Sequence, residues 1–187
     1  VTPPEERWLG SEQPHVLNEY NPGTMHQRIV SALEGKTLSR ETIVPSGELF
    51  TDLLLNGRAT DVTIERASER RRDIEAVYTR LRDSSYVIMT LGLIESWFDN
   101  ETRVFLNRMP PIPWLKAHPS RYSLRRLDTD ECFALLEEAL AALVSLGVKV
   151  ILTVSPAPLN RTMTASDSVT ANELSKAVLR VCAERLC

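Results

Sequence analysis

Apolar residues recur three, four and seven positions apart in four segments of the chain, which is the pattern of amphipathic helices. The predicted helices cover residues 24–35, 61–83, 128–147 and 168–186. Asp128 and Glu131 predict a capping box at the start of the third helix. The core-facing stripe of the fourth is predicted at Leu174, Ala177, Val178, Val181 and Leu186.

Two short apolar runs alternate with these helices: "YVIMTLG" at 86–92 and "VKVILTVSP" at 148–156. Both are too short for helices and too continuously apolar for half-exposed strands. They predict central strands of a parallel sheet with helices on both faces. The proline-rich segment 101–127 predicts an extended excursion over the surface, and residues 37–60 give no single prediction.

The charge of the chain argues against a nucleic acid as partner. Its 187 residues carry a formal net charge of -3, with 43% apolar and 25% charged residues, so a single folded domain without a basic field is expected. The basic run "RASERRR" at 66–72 is expected to be a solvated helix face. A nucleic-acid role stays open as the weakest alternative, built on Arg66, Arg70, Arg71, Arg72, Arg121, Arg125 and Arg126.

The three cysteines, Cys132, Cys182 and Cys187, are an odd number without CxxC spacing or a neighbouring histidine. This usage argues against a metal site and a disulfide framework, and it predicts a reducing, cytoplasmic location. No apolar run approaches 18 residues, and the N-terminus lacks the pattern of a signal peptide. Neither a membrane partner nor a cofactor is expected.

Polar residues follow both predicted strands, where a parallel sheet places its ligands. Gly92 and Glu95 come after the first strand, and Ser155 comes after the second. An alternative for Glu95 is a helix N-terminal acid stabilised by the helix dipole. The strand ends therefore mark a candidate ligand site.

The segment "NEYNPGT" at 18–24 leads from a Pro-Gly turn into the first helix. Its free backbone N–H groups and the Asn21 amide could bind a developing oxyanion. The alternative is a plain loop with a helix cap at Thr24, and both interpretations stay open.

No complete catalytic set can be identified in the sequence. The histidines are His15, His26 and His118, and none has an aspartate three residues before it. G-x-S-x-G, G-D-S, glycine-rich phosphate loops and H-E-x-x-H are also absent. Ser155 could act as a substitute nucleophile, but Pro156 leaves no N–H after it for an oxyanion.

Five motifs in order carry a family resemblance: "NEYNPGTMHQRI", "RRRDIEAVYTRLRDSSYVIMTLGLIESWFD", "PSRYSL", "VILTVSPAPLNRT" and "ANELSKAVLR". Together they resemble the GSCFA domain family, a bacterial family that is similar to the SGNH hydrolases. The resemblance implies a flavodoxin-like, three-layer α/β/α domain with a mostly parallel sheet over residues 1–187. It also implies a serine esterase or O-acyltransferase that acts on an ester or acylated carbohydrate.

The resemblance also assigns positions to the SGNH sequence blocks. Gly23 is similar in placement to the second-block glycine, and Gly92 begins the third block. Glu95, at the end of that block, and Trp97 would line the pocket. Ile94 stands where SGNH enzymes have the oxyanion-binding asparagine. The name-giving Gly-Ser-Cys-Phe-Ala stretch and the Asp-x-x-His pair are absent, so a domain that is incomplete at both ends is expected, with other domains of a longer chain as partners.

Besides the weak nucleic-acid alternative, two functions remain open at this point. The first is a fragment of an SGNH-like esterase or acyltransferase without its nucleophile. The alternative is a non-catalytic domain that binds a ligand or partner in the pocket around Gly23, Gly92, Glu95 and Trp97.

Overall fold

The computed structural model describes residues 17–187. Its helices are α1 (Pro22–Glu34), α2 (Ile64–Thr79), α3 (Ile112–Ala117), α4 (Thr129–Val144) and α5 (Ser168–Leu186). Its strands are β1 (Ile43–Ser46), β2 (Leu49–Asp52), β3 (Tyr86–Leu91), β4 (Glu95–Asp99), β5 (Val104–Leu106), β6 (Tyr122–Arg126) and β7 (Lys149–Val154). The four predicted helices and both predicted strands are confirmed.

Side-chain caps set the starts of the long helices. The predicted capping box of α4 is present, with Asp128 accepting from the Glu131 N–H at 2.8 Å and Glu131 accepting from the Asp128 N–H at 2.9 Å. Helix α1 is capped by Asn21, three residues before the predicted cap at Thr24. It ends at Gly35, whose φ of 69° lies in the left-handed region that favours glycine.

Strands β3 and β7 form a parallel pair, as predicted, in register from Tyr86 opposite Lys149 to Leu91 opposite Val154. Helices α1, α4 and α5 pack on one face of this pair. The resulting core contains Met89 and Leu91 of β3, together with Ile29, Leu136 and Leu179 from the three helices. An α/β fold is therefore confirmed.

The opposite face of the parallel pair is not covered by the described residues, contrary to the prediction of strands buried on both faces. Tyr86, Ile88 and Ile151 lie on it and are 60%, 68% and 48% exposed. Because side chains alternate between the two faces of a strand, the apolar run supplies both a buried and an exposed face. Within residues 17–187, the helices lie on one face of this sheet.

Residues 101–127 are not the predicted surface excursion. They contain β5 and β6, which flank β4 in an antiparallel sheet of order β5-β4-β6. The prolines of this segment lie between β5 and β6, with Pro113 in the first turn of α3, so no sheet hydrogen bond is lost. Residues 37–60, without a prediction, contain the antiparallel β1-β2 hairpin at residues 43–52.

The predicted solvated basic face of α2 is wrong for two of its arginines. Arg70 and Arg71 are buried, and Arg71 binds Asp52 at the end of β2. Arg121 is also buried and binds Asp99 at 2.8 Å. Because these three arginines are buried, they do not contribute to a basic surface, which argues against the nucleic-acid alternative.

The predicted core stripe of α5 is wrong in part. Leu174, Ala177 and Val181 are exposed, whereas Ala171, Ser175, Lys176, Leu179 and Cys182 are buried. This helix carries apolar side chains on its exposed face as well as its buried face, so their spacing alone did not identify the buried face. In the described part of the chain, no helix is both long and apolar enough to span a membrane.

Candidate functional site

The carboxyl ends of β3 and β7 meet at one corner of the molecule. The Ser155 N–H donates to the Leu91 carbonyl at 2.8 Å, which continues the parallel pairing by one residue. The Tyr20 carbonyl accepts from the N–H groups of Gly92 and Leu93, at 3.2 and 2.9 Å. The segment before α1 is thereby bound to the segment after β3.

Gly92 permits the closest contact at this corner. A Cβ atom at this position would lie 2.7 Å from the Tyr20 carbonyl oxygen, so any side chain would displace the backbone. The carbonyl of Gly92 accepts from the Lys176 ammonium at 2.6 Å. The group in closest contact with Gly92 in this structure is the Tyr20 carbonyl.

Asn21 and Gly23 hold the start of α1 in place. The Asn21 side-chain oxygen accepts from the Thr24 N–H at 2.9 Å and is buried. Gly23 packs under the Phe105 ring, since a Cβ atom there would lie 2.3 Å from the ring. Both contacts are structural, and an oxyanion role for either residue stays a prediction.

The larger cavity beside this corner has a volume of about 490 Å³ and runs along β3. We call it the β3-edge cavity. Its apolar wall includes Met25, Ile29, Leu81, Val87 and Met89, and its polar lining includes Glu19, Tyr20, Gly92 and Ser155. The volume lies within the range of small-molecule sites, about 300–1,000 Å³.

Glu19 places a buried carboxyl group in the lining of the β3-edge cavity. Its Oε1 accepts from the Arg28 Nε at 3.0 Å, while its Oε2 has no hydrogen-bond partner among the described residues. Burial raises the pKa of Glu19 to about 7, and the nearby Arg28 charge only partly opposes this effect. Glu19 was not predicted as a site residue, although it lies inside the "NEYNPGT" motif.

A smaller cavity of about 160 Å³ lies against the β5-β4-β6 sheet. We call it the β4 cavity. Its lining includes Glu95, Trp97, Asn107, Leu124, Arg161 and Met163. Asn107, in the connection after β5, was also missed because the surrounding proline-rich segment gave no indication of a site.

Glu95 links the β4 cavity to the segment that follows β7. Its Oε1 accepts from the Thr162 hydroxyl at 2.6 Å, and its Oε2 accepts from the Met163 N–H at 3.2 Å. The alternative of a helix N-terminal acid is wrong, since Glu95 is the first residue of β4. The carboxylate therefore holds one wall of the cavity in place.

The predicted site residues do not share one pocket. Gly92 and Ser155 line the β3-edge cavity, Asn21, Glu95 and Trp97 line the β4 cavity, and Gly23 lines neither. Tyr20 lines both cavities. The structure therefore divides the predicted pocket in two at the Tyr20 backbone.

The candidate nucleophile Ser155 and the two described histidines each make hydrogen bonds with other groups. The Ser155 hydroxyl accepts from the Ala157 N–H at 3.2 Å. His26 pairs with Glu138 at 2.8 Å, and the His118 ring contacts the Trp114 carbonyl at 3.0 Å. Residues 17–187 contain no group of three or more histidine, cysteine, aspartate or glutamate residues that could hold a metal ion.

Comparison with known families confirms the resemblance. The chain belongs to the GSCFA family, whose model matches residues 6–187. Neither a curated protein nor a solved structure matches the chain.

Proposed function

We propose that this GSCFA-family chain forms the substrate-binding part of an SGNH-like serine esterase or O-acyltransferase. The observation that carries the proposal is the corner of Tyr20, Gly92 and Ser155, where two parallel strand ends open onto the β3-edge cavity. Ligands of parallel α/β sheets bind beyond the carboxyl ends of the strands. The proposed substrate is a small ester or an acylated carbohydrate.

The catalytic groups are the part of this proposal that rests on the family resemblance. Acyl transfer needs a nucleophile, a base within hydrogen-bond reach and donors for the oxyanion. Ser155 lines the cavity, but Pro156 removes the next N–H, and the described histidines are engaged elsewhere. Catalysis is therefore assigned to SGNH-type serine and Asp-x-x-His motifs, which this sequence does not contain.

A three-layer α/β/α arrangement is part of the same proposal. Parallel sheets are normally covered on both faces. The exposed Tyr86, Ile88 and Ile151 form an apolar face of the kind that a second helix layer covers. Free thiols at Cys132, Cys182 and Cys187 favour a cytoplasmic location.

The experiment uses the longest natural polypeptide that contains this sequence. We expect it to hydrolyse 4-nitrophenyl acetate and to be labelled by a fluorophosphonate, which reacts with activated serines. The Ser155→Ala variant should keep the fluorophosphonate label, because the nucleophile is assigned to another serine, and heat-unfolded protein should lose both properties. Absence of labelling and hydrolysis in the folded protein would refute the esterase proposal.

The second candidate function is non-catalytic binding of a ligand or partner domain. It is favoured by the engagement of the predicted polar groups in structural contacts: Asn21 caps α1, Gly92 binds Tyr20 and Glu95 binds Thr162. The coding sequence on either side separates the two functions. If it holds neither a serine block nor an Asp-x-x-His pair, the binding function is supported.

A further inference from the structure

Apolar side chains line the part of the β3-edge cavity that lies away from the strand ends. Leu81 belongs to the turn at Arg80–Asp83 that leads into β3, and Val87 and Ile88 are the second and third residues of that strand. All three side chains are half-buried or exposed, so they keep accessible surface that a ligand can contact. A ligand that covers this surface removes apolar area from water, which stabilises the bound state.

Polar groups line the opposite end of the same cavity. Thr90 is the last residue but one of β3, Gly92 follows β3, and Ser155 follows β7. The Thr90 hydroxyl accepts from the Thr153 hydroxyl at 3.0 Å, and the Ser155 hydroxyl accepts from the Ala157 N–H at 3.2 Å. The hydroxyl groups of Thr90 and Ser155 therefore each keep a proton that can be donated to a ligand oxygen. The lining thus changes from apolar to polar along β3.

The charges around the β3-edge cavity favour an uncharged ligand. No lysine, arginine or histidine is present among the described residues that line it. The acidic residue in this lining is Glu19, whose Oε1 accepts from the Arg28 Nε at 3.0 Å. An anionic ligand would therefore meet no cation in the described lining and would lie near a carboxyl group.

The dimensions of the cavity suit an extended chain. From Val87 to Gly92 the backbone rises about 16 Å, at about 3.3 Å per residue, and the cavity runs along it. Its volume of about 490 Å³ equals that of about sixteen water molecules at about 30 Å³ each. An unbranched alkyl chain can lie along β3 in this space with a polar group at Gly92 and Ser155.

We propose that the β3-edge cavity binds the acyl chain of an uncharged ester, with the ester group at Gly92 and Ser155 and the chain along β3 toward Leu81. This deepens the proposed function by naming the substrate class, and it rests on that function only for cleavage of the ester. Binding of the chain itself needs no nucleophile.

The test uses methyl alkyl ketones, which keep the carbonyl group and the alkyl chain of such an ester but cannot be hydrolysed. The longest natural polypeptide that contains this sequence is titrated with ketones from 2-butanone to 2-decanone, and their affinities are measured by calorimetry. Each added CH₂ group should tighten binding about fourfold, which corresponds to about 0.8 kcal/mol per buried CH₂. The increase should end when the chain fills the cavity.

Methionine methyl signals locate the bound chain by NMR. Met25 and Met89 line the β3-edge cavity, whereas Met109 and Met163 line the β4 cavity. We expect the ketones to shift the signals of Met25 and Met89 in a saturable way and to leave the other two unchanged. Substitution of each methionine by leucine assigns its signal, because this change nearly conserves the volume of the side chain.

A substitution on β3 tests whether the chain lies along this strand. Val87→Phe places a larger side chain at the apolar end of the cavity, so it should weaken binding of 2-decanone at least about tenfold and that of 2-butanone less than about twofold. Val150→Phe is the matched control, since Val150 lies opposite Val87 on β7 and does not line the cavity. It should bind both ketones like the wild type. The wild-type titration needs no variant, so a misfolded variant does not prevent the test.

Two results would overturn the proposal. In the first, affinity does not rise with chain length, or the ketones shift Met109 and Met163 instead of Met25 and Met89. In the second, the decanoate anion binds more tightly than 2-decanone, which would assign the cavity to an anionic ligand. Ketone binding without ester hydrolysis would support this inference and refute only the acyl-transfer chemistry. Hydrolysis of 4-nitrophenyl acetate without tighter binding of longer ketones would refute only this inference.

Discussion

The buried ion pair between Asp52 and Arg71 allows a quantitative test of the fold. Both side chains are at most 2% exposed. Arg71 Nε donates to Asp52 Oδ2 at 2.8 Å, and Arg71 Nη2 donates to the other carboxylate oxygen. Arg71 Nη2 also donates to the Thr42 hydroxyl at 3.0 Å, and Arg71 Nη1 donates to the Ser39 carbonyl at 3.2 Å. The Leu54 N–H donates to Asp52 at 2.9 Å. The pair thus connects α2 to the β1-β2 hairpin.

Substitution of Asp52 by Asn keeps the shape of the side chain and removes its charge. The Arg71 guanidinium then stays buried without a counter-charge, and breaking a buried pair in this way costs about 3–5 kcal/mol. For a chain of this size, about 2–4 °C of melting temperature corresponds to 1 kcal/mol, so a decrease of about 6–20 °C is expected. Replacing both partners, in Asp52→Leu with Arg71→Met, should cost less than either single change.

The pH dependence provides a second signature of this pair. Burial by itself would raise the pKa of Asp52, but the Arg71 charge and hydrogen bonds outweigh burial and lower the pKa below 3.8. A carboxyl group with a lowered pKa stabilises the fold above its unfolded pKa and loses that contribution as pH falls through the folded value. The stability difference between wild type and Asp52→Asn should therefore shrink in acid below pH 3.8.

Urea denaturation followed by circular dichroism measures these differences. Arg72→Met is the matched control, because Arg72 is the next residue on α2 and is exposed, so its free energy of unfolding should change by less than about 0.5 kcal/mol. If Asp52→Asn and Arg72→Met had equally small effects, the buried pair would not hold α2 against the hairpin.

Three further predictions use the same denaturation assay. Gly92→Ala should destabilise the protein by about 1–3 kcal/mol because the added Cβ meets the Tyr20 carbonyl. Gly57→Ala is the control, since no atom lies near the added Cβ, and it should not destabilise the protein. Equal effects of the two substitutions would contradict the close contact between Gly92 and Tyr20. The pKa of Glu19 is raised from 4.5 to about 7, so Glu19 stabilises the fold below pH 4.5 and loses this contribution as the pH rises to about 7. Over this range, the free energy of unfolding of the wild type should fall by about 3 kcal/mol relative to that of Glu19→Gln. A difference that stays constant with pH would contradict the raised pKa. Asp128→Ala removes the α4 cap and should cost about 1 kcal/mol, and an unchanged midpoint would show that the cap contributes nothing.

Features encoded by neighbouring residues were predictable from the sequence. The Asp128–Glu131 capping box spans four residues, and the start of α4 follows from it. The apolar runs of β3 and β7 are continuous, and the parallel pairing follows from the helix between them. In these cases, the information that specifies the structure lies within a single segment.

Features that depend on distant partners were not predictable. Arg71 belongs to an arginine-rich run that resembles a solvated face, and its burial is explained by Asp52, 19 residues earlier. Asn107 is held by Asn18, 89 positions away. Neither pattern signals its partner, because periodicity and charge describe one segment at a time. The same limit explains why two cavities were predicted as one pocket.

The Tyr20 backbone separates the β3-edge cavity from the β4 cavity. Its carbonyl accepts from both Gly92 and Leu93, which closes the wall between the cavities at the corner after β3. A substrate that occupies both cavities must pass Tyr20, which lines each of them. Gly92→Ala would displace this carbonyl and disturb both cavities, whereas Trp97→Phe would alter only the β4 cavity. Comparing ester hydrolysis in these two variants therefore tests whether the β4 cavity contributes to the same reaction as the β3-edge cavity.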